Sequence, residues 1–402
     1  MSPLPNYSRI PSPNIWVLMS VLAVMMLPVA PTVSAQSGAG TDAGVMSAEL
    51  PEPRKAPRVR EKDIDPTVLR ARYVEALGQL ADGDRRAALE SLGELEREFV
   101  EPSMKLDEGP LWEVQGEVAL DLSRRNPEVL VPILMLHHDA SGLFQQQRVW
   151  HLARRSRLLT ASLADSYADR ARSEGSRVVA ARTYASLGGY LHKIMSTRNC
   201  RCTPFYRRAL DYDPKNEAAL LGLATVFEKA GDPVAAVAFL RKLVNVHPRN
   251  REAALRLAIN QLRSGFRRPA VRGLEELTEV EGPEWVVAVA FQELARHYTD
   301  REDLQAAMDV LQRGRERLPG NEPLALQYAY LLERDRQLNQ AAEVLAAFRS
   351  EPPRQAADAR ARYNHWPAAT VDDVRRELWQ GAESRLPMLA AALNQTKIGQ
   401  EG

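Results

Sequence analysis

Five prolines recur at nearly equal distances along the second half of the chain, and this spacing constrains the fold more than any other feature. They are Pro214, Pro248, Pro283, Pro319 and Pro353, separated by 34 to 36 residues. Proline interrupts a helix because it lacks a backbone N–H and its ring clashes with the preceding turn. A period of this length accommodates two short helices and two turns. The spacing therefore predicts a series of similar helical hairpins.

Small and large apolar residues occupy matching positions in successive units. In the first clear unit, Ala224 and Ala236 stand among large residues at intervals of three and four. Two antiparallel helices approach closely only where a small residue faces the partner helix. The second unit departs from the pattern at Gln261, a polar residue in an apolar position, and its Pro283 comes one place late. The equivalent small residues of the later units are Ala258, Ala270, Ala295, Ala307, Ala329 and Ala341.

Polar residues predict where these helices begin. Asn216, Asn250 and Asn321 each follow a proline by two residues, and asparagine is a favoured N-cap. Asp232 and Pro233 predict the start of a second helix, since proline at the first helical position loses no hydrogen bond. The capping residues thus agree with the phase of the repeat.

This order of large, large-small, large, small, large and proline resembles the tetratricopeptide repeat family. The resemblance is specific from about residue 183 to 353, and looser in Arg70 to Val100, which has the pattern of one more hairpin. It implies an all-α fold, an α-solenoid of antiparallel helix hairpins in a TPR-like superhelix. A generic helical bundle with accidental alanine spacing is the alternative, and four consecutive units in phase with their prolines disfavour it.

The N-terminus has the composition of a secretory signal peptide. Arg9 precedes an apolar run, and Val33-Ser34-Ala35 is a small-residue cleavage site before Gln36. The run has roughly fifteen residues, whereas about twenty are needed to span a bilayer, so cleavage is favoured over retention as a membrane anchor. The protein is therefore expected to be periplasmic or secreted, or membrane-anchored if the segment stays uncleaved.

The remaining chain divides by composition and pattern. Thr370 to Leu393 is amphipathic and is expected to cap the open end of the last hairpin, which would otherwise expose its stacking surface. The predicted parts are a signal peptide at 1–35, a disordered linker at 36–64, an N-terminal helical, TPR-like region at 65–182, a TPR array at 183–353, and a C-terminal capping helix and tail at 354–402.

The family resemblance also implies a binding groove, because the first helix of each hairpin lines the concave face in this family. A protein or peptide ligand is the expected partner. Arg263, Arg296 and Arg334 recur on successive first helices and would form a basic strip for acidic side chains or a carboxylate. The alternative is that these arginines are solvated or paired with acidic neighbours. The candidate groove residues are Thr225, Lys229, Arg256, Arg263, Gln292, Arg296, Tyr330 and Arg334.

The two cysteines, Cys200 and Cys202, lie in a long connection upstream of the first clear unit. In an exported protein they are expected to be oxidised. A local structural disulfide, an intermolecular disulfide and a thiol-disulfide exchange site are the three alternatives. The exchange alternative is disfavoured, since the pair lacks the C-x-x-C placement at a helix N-terminus that lowers the pKa of catalytic thiols.

Nothing in the sequence indicates catalysis, a metal site or a cofactor. Adjacent histidines, His137 and His138, point about 100° apart on a helix and cannot share one ion, and no nucleotide-binding or nucleophile motif occurs. The net charge is +1, with 53 basic and 52 acidic residues, so no overall field favours nucleic acid. The sequence therefore predicts a non-catalytic scaffold or adaptor for protein–protein interaction in the cell envelope.

Overall fold

The computed structural model describes residues 65–194, 201–349 and 372–398. The chain separates into two units, Met1–Lys55 and Ala56–Gly402, and all described residues belong to the second. The predicted signal peptide and the whole of the predicted linker lie outside the described residues. Within the described ranges every regular element is helical, which confirms the predicted all-α class.

The helices follow one another with short connections. The N-terminal helices are α1 (Pro66–Ala81), α2 (Arg85–Phe99), α3 (Pro110–Leu122), α4 (Leu130–Gln146) and α5 (Trp150–Ala171), with a 3-10 turn at Pro127–Val129. The central helices are α6 (Glu174–Ile194), α7 (Thr203–Tyr212), α8 (Glu217–Ala230), α9 (Pro233–Val246), α10 (Arg251–Arg263), α11 (Arg267–Glu279), α12 (Glu284–Thr299), α13 (Leu304–Arg317), α14 (Glu322–Arg334) and α15 (Leu338–Arg349). The last two are α16 (372–383) and α17 (Leu386–Ile398).

From α6 to α15, consecutive helices pack as antiparallel hairpins, α6 with α7, α8 with α9, and so on to α14 with α15. The small residues predicted at the helix crossings are all buried, from Ala224 and Ala236 in the first clear unit to Ala329 and Ala341 in the last. Gln261, the polar departure from the pattern, is also buried at 7% exposure. The α-solenoid prediction is therefore confirmed for this part of the chain.

The predicted N-caps are confirmed. The side-chain oxygens of Asn216, Asn250 and Asn321 accept hydrogen bonds from backbone N–H groups three residues ahead, over 2.8 to 3.3 Å. Asp232 caps α9 in the same way, with Pro233 at the first helical position. The helix α12 lacks such a cap. Its N-cap residue is Pro283, which has no side-chain oxygen to accept a hydrogen bond.

The turns inside the hairpins share one backbone feature that the sequence pattern does not reveal. Two residues before each second helix, the backbone adopts a positive φ, at Gly231, Gly265, Glu302 and Arg336. Glycine reaches this region without steric cost, whereas a residue with a Cβ pays roughly 1–2 kcal/mol. The turn geometry is thus the same in all four units although only two retain the glycine.

Tyr206 of α7 joins the first two hairpins of this array. Its ring is 2% exposed and lies against both Gly188 of α6 and Gly222 of α8, so closely that a methyl group on either glycine would overlap the ring. Two glycines on neighbouring first helices therefore form the hole into which one aromatic side chain fits. The spacing of α6 and α8 depends on this contact.

The N-terminal helices form a separate core around α4. Almost every residue from Leu130 to Phe144 is buried, so α4 is covered on all sides. Pro132 lies in the first turn of α4, where its missing N–H would have no partner within the helix in any case. The predicted boundary between residues 182 and 183 falls inside α6, so the hairpin array begins at Glu174 instead.

The predicted position of the C-terminal cap was wrong. Instead of covering the last hairpin, α16 and α17 pack against the N-terminal core, with Leu378, Trp379 and Leu389 inside the same apolar cluster as α1, α3 and α4. The 22 residues between α15 and α16 make this return possible, because an extended chain of that length reaches on the order of 70 Å.

Asp139 of α4 is the polar anchor of the returning helices. Its buried carboxylate pairs with Arg85 of α2 and with Arg375 of α16, and accepts a hydrogen bond from the Trp379 indole over 3.2 Å. Burial alone would raise the pKa of Asp139, but His138 and the two arginines hold it well below its usual range. The Arg85 guanidinium also lies 3.7 Å from the centre of the Trp379 ring. The carboxylate therefore remains charged, and its removal would leave two arginines unpaired.

A second polar network lies entirely inside the N-terminal core. Glu96 accepts hydrogen bonds from Ser156 over 3.1 Å and from Gln115 over 3.4 Å. His137 lies 3.8 Å from Glu96 and forms a 2.8 Å hydrogen bond with Tyr73. These residue types resemble an acid–base site, but all five side chains have no measurable exposure to solvent. The network therefore stabilises the core, and a substrate has no access to it in this conformation.

The packing of Tyr206 gives the first testable prediction. Gly222→Ala should lower the free energy of unfolding by about 1–3 kcal/mol, because the added methyl group displaces the ring. Gly78→Ala is the matched control, since Gly78 is also helical but has open space around it; it should gain roughly 0.5–1 kcal/mol from helix propensity. Chemical denaturation followed by circular dichroism measures both. An unchanged midpoint for Gly222→Ala would contradict the proposed contact.

The buried Glu96 network gives a pH-dependent prediction. Burial raises the pKa of Glu96 to about 7, although Arg155 and the hydrogen bonds from Ser156 and Gln115 oppose the shift. Between pH 4.5, the ordinary value, and about 7, the folded state holds a proton that the unfolded chain has released. The uptake of this proton by Glu96 therefore stabilises the folded state at low pH, and this stabilisation is lost as pH rises. Burial, with Arg155, lowers the pKa of His137 to about 3, so its contribution has the opposite sign and is lost as pH falls below 6.5.

Glu96→Gln removes only the first of these contributions. The free energy of unfolding of this variant relative to wild type should rise by up to about 3 kcal/mol between about pH 5 and pH 8. Glu94→Gln, an exposed change on the same helix, serves as the control and should show a constant difference. The measurement is chemical denaturation across this range. A difference for Glu96→Gln that does not vary with pH would refute the assignment of the buried proton.

Candidate binding surface

The first helices of the hairpins lie side by side. α6 packs against α8, α10 against α12, and α12 against α14, and an ion pair between Arg256 and Glu228 joins α8 to α10. The first helices therefore form a continuous inner wall, which is the surface that the family resemblance assigns to ligand binding. The side chains on this wall decide what it can bind.

Five polar residues, His192, Glu228, Lys229, Arg256 and Asn260, come together on the wall and are called here the inner polar cluster. The guanidinium of Arg256 donates to both carboxylate oxygens of Glu228, and the two side chains are 4% and 7% exposed. Asn260 donates from its amide nitrogen to Glu228 and, over 2.8 Å, to the carbonyl of Arg256. The ion pair is thereby held in one geometry.

His192 of α6 faces this ion pair without forming a hydrogen bond. The residue is 4% exposed, and neither ring nitrogen has a hydrogen-bond partner among the described residues. Burial, together with the charges of Lys229 and Arg256, lowers its pKa to about 4. The ring is therefore neutral near pH 7 and presents one N–H donor and one nitrogen acceptor. The side-chain oxygen of Asn260 is likewise buried and unpartnered within the described structure.

The cluster has an excess of positive charge. With His192 neutral, the five residues carry two positive charges, on Arg256 and Lys229, and one negative charge, on Glu228. Glu228 pairs with Arg256, so the net charge of the cluster is positive. Partial burial and the proximity of Arg256 lower the pKa of Lys229, while Glu228 raises it. Lys229 is exposed at the edge of the cluster. An incoming group with hydrogen-bond donors, acceptors and negative charge would therefore complement the cluster.

The structure changes the interpretation of several predicted groove residues. Thr225 is buried at 2% exposure, and its hydroxyl donates to the Leu221 carbonyl, so it is not available to a ligand in this conformation. Arg256 is buried in its ion pair with Glu228, so its guanidinium is not freely available to a ligand. Gln292 is half-buried, and Tyr330 is exposed. Of the predicted residues, the cluster brings together Lys229 and Arg256.

The predicted basic strip consists of residues at the C-terminal turns of α10, α12 and α14. Cations are favoured there because the helix dipole leaves partial negative charge at the last turn. Arg296 pairs with Glu293, which is the alternative that the sequence left open for this residue. Arg263 and Arg334 are exposed and form no ion pair with another described residue. The strip is therefore weaker evidence for a ligand than the buried cluster.

Sequence reasoning missed His192 and Asn260. Asn260 lies in the segment Leu257 to Leu262, where it and Gln261 are polar residues in an otherwise apolar helix face. The signal that the sequence offered for Asn260 was a polar side chain at a position where the helical periodicity predicts burial. His192 had no comparable signal, since its importance depends on a contact between helices α6, α8 and α10.

The disulfide region is described only in part. Cys202 is disulfide-bonded and has no exposure to solvent, and Cys200 lies outside the described residues. The pair has C-x-C spacing and so lacks the C-x-x-C placement, as the sequence shows, but Cys202 does lie at a helix N-terminus, as the N-cap of α7. Its burial, however, restricts access for an exchange partner.

The adjacent histidines belong to different networks. His137 faces Tyr73 and Glu96, while His138 contacts Ser186 over 3.0 Å and lies beside Asp139. Across the described ranges, His, Cys, Asp and Glu side chains form no group of three or more arranged to hold a metal ion. Among the helices of these ranges, none has the length and hydropathy needed to cross a bilayer.

Comparison with solved structures finds helical proteins of low similarity. The crystal structure of MamA aligns with 43% of this chain and 95% of its own, at 18% identity and a TM-score of 0.34. PilF of Pseudomonas aeruginosa aligns over 55% of this chain and 97% of its own, at 21% identity and a TM-score of 0.36. The C-terminal part of a TPR repeat-containing protein from Cytophaga hutchinsonii aligns over 66% and 88%, at 12% identity and a TM-score of 0.39. At these scores we base no argument on the individual structures.

Comparison with family models is more specific. A model described as tetratricopeptide repeat matches residues 203–258, which extend from α7 into α10. No curated protein matches the chain. The matched segment contains Tyr206, the caps Asn216 and Asn250, and the crossing residues Ala224 and Ala236. Residues 203–258 thus match the tetratricopeptide repeat, and they lie within the series of paired helices from α6 to α15.

Proposed function

We propose that the protein is a non-catalytic scaffold that holds a peptide segment of a protein partner on its inner polar cluster. The observation that carries the proposal is the buried imidazole of His192, whose ring nitrogens have no hydrogen-bond partner among the described residues; the oxygen of Asn260, in the same cluster, has none either. A buried polar group without a hydrogen bond costs about 1–3 kcal/mol. A ligand that supplies both donors and acceptors would recover this energy.

A peptide backbone has the required chemistry. It presents N–H donors and carbonyl acceptors in alternation, which suits the ring nitrogens of His192 and the oxygen of Asn260. The uncompensated positive charge of the cluster favours a segment that carries Asp, Glu or a terminal carboxylate. The first helices extend the wall on one side of the cluster, through α12 and α14, so that an extended segment would make further contacts there.

We further propose that this scaffold acts outside the cytoplasm, in the periplasm or as a secreted protein. The proposal rests on the signal-peptide pattern of residues 1–35. Mass spectrometry of the protein from its native host should give a mature chain that begins near Gln36. A chain that retains residues 1–35 in a membrane fraction would support the membrane-anchored alternative. The burial of Cys202 gives thiol-disulfide exchange no support.

The binding proposal predicts a charge-reversal effect confined to the inner wall. Lys229→Glu should weaken recovery of the partner at least tenfold, which corresponds to about 1.4 kcal/mol, because it converts the excess charge of the cluster from positive to negative. Lys242→Glu is the matched control, since Lys242 is an exposed lysine on α9, a second helix. The measurement is quantitative affinity capture from the native envelope fraction with wild type and both variants.

A partner recovered by wild type and Lys242→Glu but lost with Lys229→Glu would support the proposal. Equal recovery with all three proteins would refute binding at the cluster, and recovery of no partner under cross-linking conditions would refute the scaffold role. Substitution of Arg256 is not a suitable test, because breaking a buried ion pair destabilises the fold by roughly 3–5 kcal/mol.

A further inference from the structure

A cavity of about 360 Å³ lies between α5, α6 and α7, and none of the five residues of the inner polar cluster is among its described lining residues. Its lining combines large apolar side chains with three arginines. The apolar residues are Leu106, Trp150, Leu158, Leu191 and Phe205, and the cations are Arg154, Arg157 and Arg201. A volume of this size falls within the range of small-molecule sites, about 300–1,000 Å³.

One face of α5 forms a wall of the cavity. Trp150, Arg154, Arg157 and Leu158 are spaced by four, three and one residues, which places them on the same side of a helix. Trp150 is 47% exposed and Leu158 is 38% exposed. Large apolar side chains are therefore left open to solvent on both sides of a pair of arginines.

Arg157 is the residue that points to a charged ligand. It is 6% exposed, and its only hydrogen bond in the described structure goes to the neutral side-chain amide of Gln145, over 3.2 Å. Burial and the nearby Arg154 lower its pKa to about 10, so that the guanidinium remains charged at neutral pH. No carboxylate of a described residue pairs with Arg154, Arg157 or Arg201. A buried cation without a counter-ion is costly, and an anion in the cavity would remove that cost.

The two halves of the lining restrict the class of ligand. An inorganic anion would pair with the arginines but leave the apolar walls in water. A neutral hydrocarbon would cover the walls but leave Arg157 without a counter-ion. We propose that the cavity binds a small amphiphile that consists of a single alkyl chain with an anionic head group, a carboxylate or a phosphate. The head group pairs with Arg154 and Arg157, and the chain lies against Leu158, Leu191 and Phe205.

The test is calorimetric titration of the full chain with decanoate and decyl phosphate as monomers, below their critical micelle concentrations. Tight binding of decanoate identifies a fatty-acid-type carboxylate, and tighter binding of decyl phosphate identifies a phospholipid-type head group; both outcomes support the proposal. Decanol and inorganic phosphate should each bind at least tenfold more weakly. Affinity should rise about fourfold for each added methylene until the cavity is filled.

Two variants and one control locate the binding. Arg154→Glu, an exposed change, and Arg157→Gln should each reduce decanoate affinity at least tenfold. Arg241→Glu, an exposed charge reversal on α9, should leave it within twofold of wild type. Circular dichroism establishes that each variant is folded, and Arg154→Glu keeps the test valid if the buried Arg157→Gln is unstable.

Three results would overturn the proposal. The first is decanol binding as tightly as decanoate, and the second is full decanoate affinity in both arginine variants. The third is binding of an acidic peptide or of anionic vesicles without binding of the monomeric amphiphile, since this would show that the cavity belongs to a protein or membrane surface.

Discussion

Close approach of helices at small residues is the constraint on which the rest of this structure depends. Ala224 and Ala236 are fully buried, and Gly188 and Gly222 leave just enough space for the ring of Tyr206. Dispersion contacts of this kind weaken steeply with distance, so a small increase in side-chain volume separates the helices. This packing brings the first helices side by side, and only that arrangement lets residues of α6, α8 and α10 form one polar cluster.

Buried polar groups serve two different purposes in the protein. In the N-terminal core, Glu96, His137 and Asp139 form hydrogen bonds and ion pairs that join helices distant in sequence, although Nδ1 of His137 has no hydrogen-bond partner among the described residues. On the inner wall, His192 and Asn260 retain atoms without a hydrogen-bond partner in the described part of the chain. Satisfied networks stabilise and specify a fold, whereas unsatisfied groups reduce stability unless a ligand completes them. Access separates the two regions: the Glu96 network of the core has no exposure to solvent, whereas the exposed Lys229 lies at the edge of the cluster. This difference is the physical reason for assigning binding to the wall and structure to the core.

The repeat could be predicted because its signals are local. Asn250 caps α10 by accepting a hydrogen bond from the N–H three residues ahead, and Ala258 faces the other helix of the same hairpin. The relevant contacts therefore lie within one period of the sequence. The return of Trp379 to Asp139 spans 240 residues and leaves no periodic trace. The role of His192 depends in the same way on residues from other hairpins. The groove prediction therefore included Lys229 and Arg256 of the inner polar cluster but not His192 and Asn260, and the role of the groove in binding stays a prediction.

The central claim is that a partner segment lies along the first helices, and site-specific photo-crosslinking in the native host tests it most directly. A photoreactive amino acid replaces Gln292 on α12, a first helix, or Gln312 on α13, a second helix. The account predicts a discrete crosslinked partner from position 292 and none from position 312. Crosslinks of equal yield from both positions, or from position 312 alone, would contradict it.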